Sequence, residues 1–209
     1  MYTLFWSPGS ASMAPHFCLE EAGAPYTLRR VDMGKGENQS AEYLALNPAG
    51  KVPVLAIDNG FVMTESAAIC MLLADRHPAA GLAPAADELA RGHYYQWLLH
   101  LSNTVQPAML RFYYPDRHVT EAANAPQVTD KAREEITTLW SRIDAHLQAK
   151  GPYLLGARYS AADAFCTMLA TWTDPCPEAA QRFPALQQLV ERVLARPAIQ
   201  RVMQVNQAA

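Results

Sequence analysis

The chain has 209 residues, half of them apolar and 18% charged, with a net charge of -3. That composition can bury a core as one large domain or two small ones, and it excludes both disorder and the basic field of a nucleic-acid binder. No stretch of about 18 apolar residues is present to cross a membrane. The start, Met1-Tyr2-Thr3-Leu4-Phe5-Trp6, lacks the basic and then long apolar pattern of an export signal. Cys18, Cys70, Cys166 and Cys176 are scattered without C-x-x-C spacing. The expectation is therefore no disulfide framework, no metal site and a reducing, cytoplasmic compartment.

Residues 2–6 are β-prone and mostly apolar, and Ser7-Pro8-Gly9-Ser10 stops them, which predicts a short buried strand. Residues 12–22 carry apolar side chains at helical spacing and halt at Gly23. Residues 26–31 form a second strand, so the opening is a βαβ unit. Residues 33–40 read as a loop, 41–46 as a short helix ended by Asn47-Pro48, and 52–57 as a strand. Asp58-Asn59-Gly60 is a hairpin signal leading into a strand at 61–63, and a helix starts at Thr64 or Glu65 and runs to about His77. The order βαβ, loop, ββα is the thioredoxin-like pattern, over residues 1–78.

Residues 78–87, rich in Pro, Gly and Ala, are the linker, and no strand signal recurs beyond them. Residues 89–113 are helical, with Pro107 bending or ending the run. Residues 128–150 are amphipathic through Ile136, Leu139, Ile143 and Leu147, and helices at 160–173, 184–195 and 197–205 complete an all-helical domain over 86–209. The predicted fold class is α/β followed by all-α.

Four local signals bear on chemistry. In Asn47-Pro48-Ala49-Gly50-Lys51-Val52-Pro53 the last step opens a strand. A trans bond would simply begin an edge strand, whereas a cis bond would present the backbone of Val52 to an extended peptide; the dipeptide alone favours trans. Thr64-Glu65-Ser66 starts a helix. Its hydroxyls either cap that helix or, with the Ser66 N–H and the Glu65 carboxylate, hold an amino acid's carboxylate and ammonium. Ser7, Ser10 and Ser12 lie between strand and helix, where a hydroxyl either caps the helix or stabilises a thiolate. Tyr159-Ser160-Ala161-Ala162-Asp163 is a capping box, and its role is structural. Cys18, His16, His93 and His100 read as packing or surface residues, while Trp6, Tyr113 and Tyr114 suit either core or an apolar cleft.

The ordered set Pro8-Gly9-Ser10, Asn47-Pro48-Ala49-Gly50-Lys51-Val52-Pro53, Glu65-Ser66 and Ser160-x-x-Asp163 resembles the cytosolic glutathione transferase family, and the likeness covers essentially the whole chain. It is most similar to the bacterial Beta type, with two departures. Ala11 stands where the Beta cysteine is usual, and Gln106 falls where a histidine is usual; Pro8-Gly9-Ser10-Ala11 instead resembles the Delta type. The resemblance implies a glutathione transferase that conjugates the thiolate to a small hydrophobic electrophile, with glutathione as co-substrate and no metal. The alternatives are a glutathione-binding protein without catalysis and a glutathione-dependent isomerase or dehalogenase. It implies a cis bond at Val52-Pro53, pairing of Val52 with the cysteinyl backbone, and Glu65 and Ser66 at the γ-glutamyl end. Lys51 would stand near the glycyl carboxylate, and Ser10, with Ser12 second, would activate the thiol. It also implies a homodimer, with no membrane or nucleic-acid partner.

Overall fold

The computed structural model describes residues 1–58, 60–172 and 182–208. Asn59 of the hairpin signal, the expected helix end at Thr173, and Cys176 lie outside the described residues. By internal contacts the chain forms two units, residues 1–86 with 194–209, and residues 87–193.

The first unit is built on a four-stranded sheet of β1 (Tyr2–Trp6), β2 (Tyr26–Arg30), β3 (Val54–Ile57) and β4 (Val62–Met63), in the order β2-β1-β3-β4. β1 runs parallel to β2, and β3 is antiparallel to both β1 and β4. β1 is central because Leu4, Phe5 and Trp6 are apolar on both faces and are buried there. β2 exposes Arg29 and Arg30, and two-residue β4 exposes Val62, as suits edges.

Helix α1 (Met13–Ala22) crosses from β1 to β2 and is buried from Met13 through Leu19. A helix can be apolar on all sides only where it is covered on all sides. Here α3 (Ser66–Arg76) and the terminal helix α9 (Pro197–Ala208) pack against it as well. It stops at Gly23, in the left-handed region at φ 59°, where Ala24 N–H reaches back to Leu19 O at 3.2 Å. On one sheet face α2 (Ala41–Leu46) sets Tyr43 edge-on against Phe5, with ring centroids 6.0 Å apart, over Val31 and Val54. Alternation turns the fully buried Leu4 and Leu55 to the other face.

Two segments differ from the sequence expectation. Residues 33–40 are two 3-10 turns, Met33–Lys35 and Glu37–Gln39, rather than open loop; Asp32 caps the first through the Lys35 N–H. β3 begins at Val54 and not at residue 52, because Pro53 has no N–H to give and the Lys51 carbonyl is occupied by the side chains of Tyr43 and Asn47.

The second unit is helical, with α4 (Ala90–His100), α5 (Gln106–Tyr113), α6 (Ala125–Lys150), α7 (Ala161–Ala170) and α8 (Pro184–Leu194). Pro107 cannot bond to the residue four before it, and the chain answers with a widened π turn at Leu101–Val105. α6 buries Ala132, Ile136, Leu139, Ile143 and Leu147 at three- and four-residue steps. α7 opens on the predicted capping box, with Ser160 and Asp163 bonded reciprocally. Beyond residue 90, the described residues hold only isolated bridges, Tyr153 with Gly156 and Leu155 with Arg158. The chain-order division at 86 and the division by contact part company at the end of the chain. Residues 194–209 cluster with the sheet unit, since Arg196 and Arg201 pair with Glu21 and Glu20 of α1.

Candidate functional site

The sheet register gathers the sequence signals at one end of the first unit. Phe5 pairs with Val54, so the chain leaving β1 at Ser7 lies beside the chain entering β3 at Val52-Pro53. Leu55 pairs with Met63, which brings Thr64, Glu65 and Ser66 to the same end. Trp6 pairs with Arg30, and the turns at 33–40 follow there.

Residues 47–53 are held by their own neighbours. Asn47, buried, donates from Nδ2 to Lys51 O at 2.7 Å and accepts from Ala49 N–H at 3.0 Å. Tyr43 donates to the same Lys51 oxygen at 2.8 Å, and Asn38 donates to Gly50 O at 2.8 Å. Burial drives the Tyr43 hydroxyl pKa up to about 12, so it remains a donor at any physiological pH. Gly50 is required: its φ is +61°, and a Cβ would meet Gln39 Nε2 at 2.4 Å and Asn38 O at 3.1 Å. The Val52–Pro53 bond is cis, as the resemblance implies. Val52 stands outside the ladder, and its N–H and C=O have no hydrogen-bond partner among the described residues. Lys51 is exposed beside it.

At the next segment Glu65 adopts φ 64° and ψ 102°, the one positive φ off glycine among the described residues. Such a conformation costs about 1–3 kcal/mol and persists where surrounding structure imposes it. Glu65 is exposed, while Ser66, buried, is the first residue of α3. Glu65, at the N-cap position, makes no side-chain cap, so its carboxylate does not satisfy the first N–H groups of α3, which can donate to an outside anion.

In the first segment the serines bond to one another instead of capping α1. Ser10 Oγ lies 2.7 Å from Ser7 O and 2.7 Å from Ser12 Oγ, and Ser12 Oγ lies 3.1 Å from Ser7 O. Ser12 is 1% exposed and occupied on both sides, whereas Ser10 is half-buried. Ser7 contributes its backbone, with its N–H donating to Ser12 Oγ at 3.3 Å. A residue that sequence reasoning did not single out joins them: Asn206 Oδ1 accepts the Gly9 N–H at 3.2 Å. No local pattern signals a contact across 197 positions.

The remaining candidates are core or surface. Cys18 is fully buried on α1 against Cys70, and that burial drives the Cys70 thiol pKa up. His16 is 1% exposed, bonded to the Tyr26 hydroxyl, and burial lowers its pKa to about 4. Trp6 is buried, Tyr113 meets Trp172 edge-on, Tyr114 is exposed, and Gln106 opens α5. No group of three or more His, Cys, Asp or Glu among the described residues could hold a metal ion, and no described helix is long and apolar enough to cross a membrane.

This end of the sheet thus offers a free backbone edge, an anion-receptive helix start, an exposed carboxylate and a cluster of hydroxyls. Comparison with known proteins gives the family. Residues 10–76 match the family "Glutathione S-transferase, N-terminal domain" and residues 103–204 match "Glutathione S-transferase, C-terminal domain". Glutathione S-transferase GST-4.5 of Xanthomonas campestris is 30% identical, covering 97% of this chain and 98% of its own. The disulfide-bond oxidoreductase YfcG of Escherichia coli K12 is 28% identical, covering 95% of this chain and 92% of its own. A glutathione transferase homologue from Sulfitobacter, solved with bound glutathione, superposes with a TM-score of 0.91 at 27% identity over 98% of both chains. The chain belongs to the glutathione S-transferase family.

Proposed function

We propose that the protein is a cytoplasmic, homodimeric glutathione transferase that conjugates the glutathione thiolate to a small hydrophobic electrophile. Residues 1–78 hold glutathione, and the helical residues 86–209 take the electrophile. The observation that carries the reading is the placement of the unpaired Val52 backbone and the strained Glu65-Ser66 helix start at one end of the sheet. Pro53 turns the chain so that Val52 N–H and C=O pair with the cysteinyl residue as an added strand. Ser66 and the first N–H groups of α3 hold the γ-glutamyl α-carboxylate, and Glu65 its ammonium. Lys51 stands near the glycyl carboxylate.

Activation of the thiol falls to Ser10. Its proton rests on Ser7 O or Ser12 Oγ and turns to the sulfur when glutathione binds. The Ser7 carbonyl keeps a donor, because Ser12 also reaches it at 3.1 Å. One hydrogen bond to an ion, about 1.5–3 kcal/mol, lowers the thiol pKa by roughly one to two units. The start of α1 adds about 0.3–1 kcal/mol in the same direction. The thiolate attacks the electrophilic carbon, the leaving group departs with its electron pair, and the thiol proton goes to water.

A reductase working through its own cysteine has no support here, since residues 1–17 contain none and Cys18 is buried. The test is the thiolate absorbance of bound glutathione against pH, together with conjugation of chlorodinitrobenzene. Ser10→Ala should raise the thiol pKa by about one to two units and cut kcat about tenfold or more, with affinity little changed. A titration moved only by Ser12→Ala would reassign the activating hydroxyl. Glutathione that fails to bind the wild type would sink the reading.

A further inference from the structure

The loop of residues 7–12 is braced from the far end of the chain. Its other hydrogen bonds run within it or into the start of α1. Among the described residues, only the bond from Gly9 N–H to Asn206 Oδ1, at 3.2 Å, ties residues 7–11 to another element. The direction of the Asn206 amide is settled by its partners. Nδ2 donates to Val202 O at 3.0 Å, so Oδ1 must face the Gly9 donor.

Helix α9 is built to hold that amide in place. Arg196, just ahead of α9, grips Glu21 through Nε and Nη2 at 2.5 and 2.8 Å, and Arg201 reaches Glu20 at 2.6 Å. Both glutamates sit in the last turn of α1, whereas Gly9 precedes its first. Ten residues of helix, about 15 Å, separate Arg196 from Asn206, about the length of α1 itself. α9 therefore lies antiparallel along α1 and spans it from end to end. Ile199 and Val202 bury one stripe of α9, and position 206 is the next on that stripe. Position 206 is half-buried at the edge of that stripe, where an apolar side chain would pack as well, yet the sequence has an amide.

We infer that Asn206 is a positioning residue for the thiol-activating loop: its amide oxygen fixes the Gly9 N–H and thereby the direction in which Ser10 presents its hydroxyl. Gly9, at φ 63° with nothing within 4 Å of where a Cβ would be, has no packing of its own to hold that direction. The functional half of this inference rests on the reading of Ser10 given above.

The test compares Asn206→Leu, which removes the acceptor but suits the buried stripe, with Asn206→Asp, which keeps an acceptor. Amide hydrogen exchange at Gly9, Ser10 and Ala11 is followed without ligand, and the thiol titration of bound glutathione is followed with it. Asn206→Leu should hold the melting temperature. It should also speed exchange at these amides about two- to tenfold, raise the thiol pKa and lower kcat by a similar factor, with less effect on KM. Asn206→Asp should keep exchange near wild type while its charge raises the thiol pKa. If Ser10→Ala moves the titration and Asn206→Leu moves neither exchange nor titration, the inference is overturned. If Asn206→Leu speeds exchange but Ser10→Ala leaves the titration unmoved, the brace stands and the Ser10 reading fails.

Discussion

His16 shows how one buried side chain can set a pH limit without taking part in chemistry. The Tyr26 hydroxyl donates to Glu20, so it accepts from the imidazole Nε2–H at 2.8 Å. Nδ1 is then a buried acceptor with no partner. Protonation would put a charge and a bare N–H where no acceptor waits, and burial accordingly lowers the pKa from 6.5 to about 4, against the opposing pull of Glu20. The sign follows from linkage. The unfolded chain takes up the proton first, so the stabilisation from neutral His16 is complete above pH 6.5 and is lost as pH falls towards 4. The loss is on the order of 3 kcal/mol. Glu20, whose pKa is also lowered, adds a loss in the same direction below its ordinary value. Urea unfolding of His16→Gln, which keeps a donor to Tyr26 but cannot titrate, should show a flatter stability profile between pH 6.5 and 4 than the wild type.

At the scale of elements, the helix ends are secured in two different ways. α7 carries its own cap, Ser160 with Asp163, and the four-residue pattern announces it. α8 begins at Pro184, and its first N–H groups are satisfied from another helix. Asp144 of α6, buried, accepts from Ala185 N–H at 2.7 Å and Leu186 N–H at 2.9 Å through one oxygen, and from Gln148 at 2.6 Å through the other. A carboxylate accepting three donors at a helix start is favoured by both hydrogen bonding and the helix dipole. Asp144→Ala leaves those donors buried and should cost about 2–4 kcal/mol in chemical unfolding. Asp144→Asn keeps the bonding oxygen and should cost about 1 kcal/mol, mostly the lost charge. Equal costs for the two variants would show that volume, not the cap, is what matters at this position.

For the molecule as a whole, the end of the chain completes its beginning. α1 buries seven consecutive residues, Met13 through Leu19, and α9 is part of what covers them. A chain cut after residue 86 keeps the sheet, α1, α2 and α3 but lacks α9, which the division by contact assigns to it. It would expose the α1 surface that Ile199 and Val202 bury, and leave Glu20 and Glu21 without Arg201 and Arg196. Losing two fully buried aliphatic partners alone removes about 3–6 kcal/mol, a large share of a small domain's stability. Residues 1–86 should therefore fail to unfold cooperatively, and a fusion appending residues 194–209 through a flexible linker should restore a sigmoidal transition. A fragment of residues 1–86 as stable as that fusion would refute this account.

What the sequence determined by itself is whatever one segment settles alone. The β-prone apolar run at residues 2–6, stopped by Ser7-Pro8-Gly9-Ser10, gives a short buried strand, Gly23 ends a helix by its freedom at positive φ, and Ser160-x-x-Asp163 closes a cap within one turn. Residues 47–53 and 64–66 each read alone as ordinary turn and cap chemistry, and only their order and spacing, through the family resemblance, pointed to a ligand. What only the tertiary structure decided is every choice between two local possibilities. Ser7, Ser10 and Ser12 read by themselves first as helix caps, and it is their mutual hydrogen bonding that turns them away from α1. That Tyr43 and Asn47 take up the Lys51 carbonyl, with β3 beginning only at Val54, shows only once the chain is packed. Asp144 at α8 and Asn206 at Gly9 were illegible in the sequence, since a polar side chain reaching across 41 or 197 positions leaves no periodicity or motif. Local sequence fixes backbone preference and burial, but a hydrogen-bond partner brought from afar exists only once packing has placed both groups within 3 Å or so of each other.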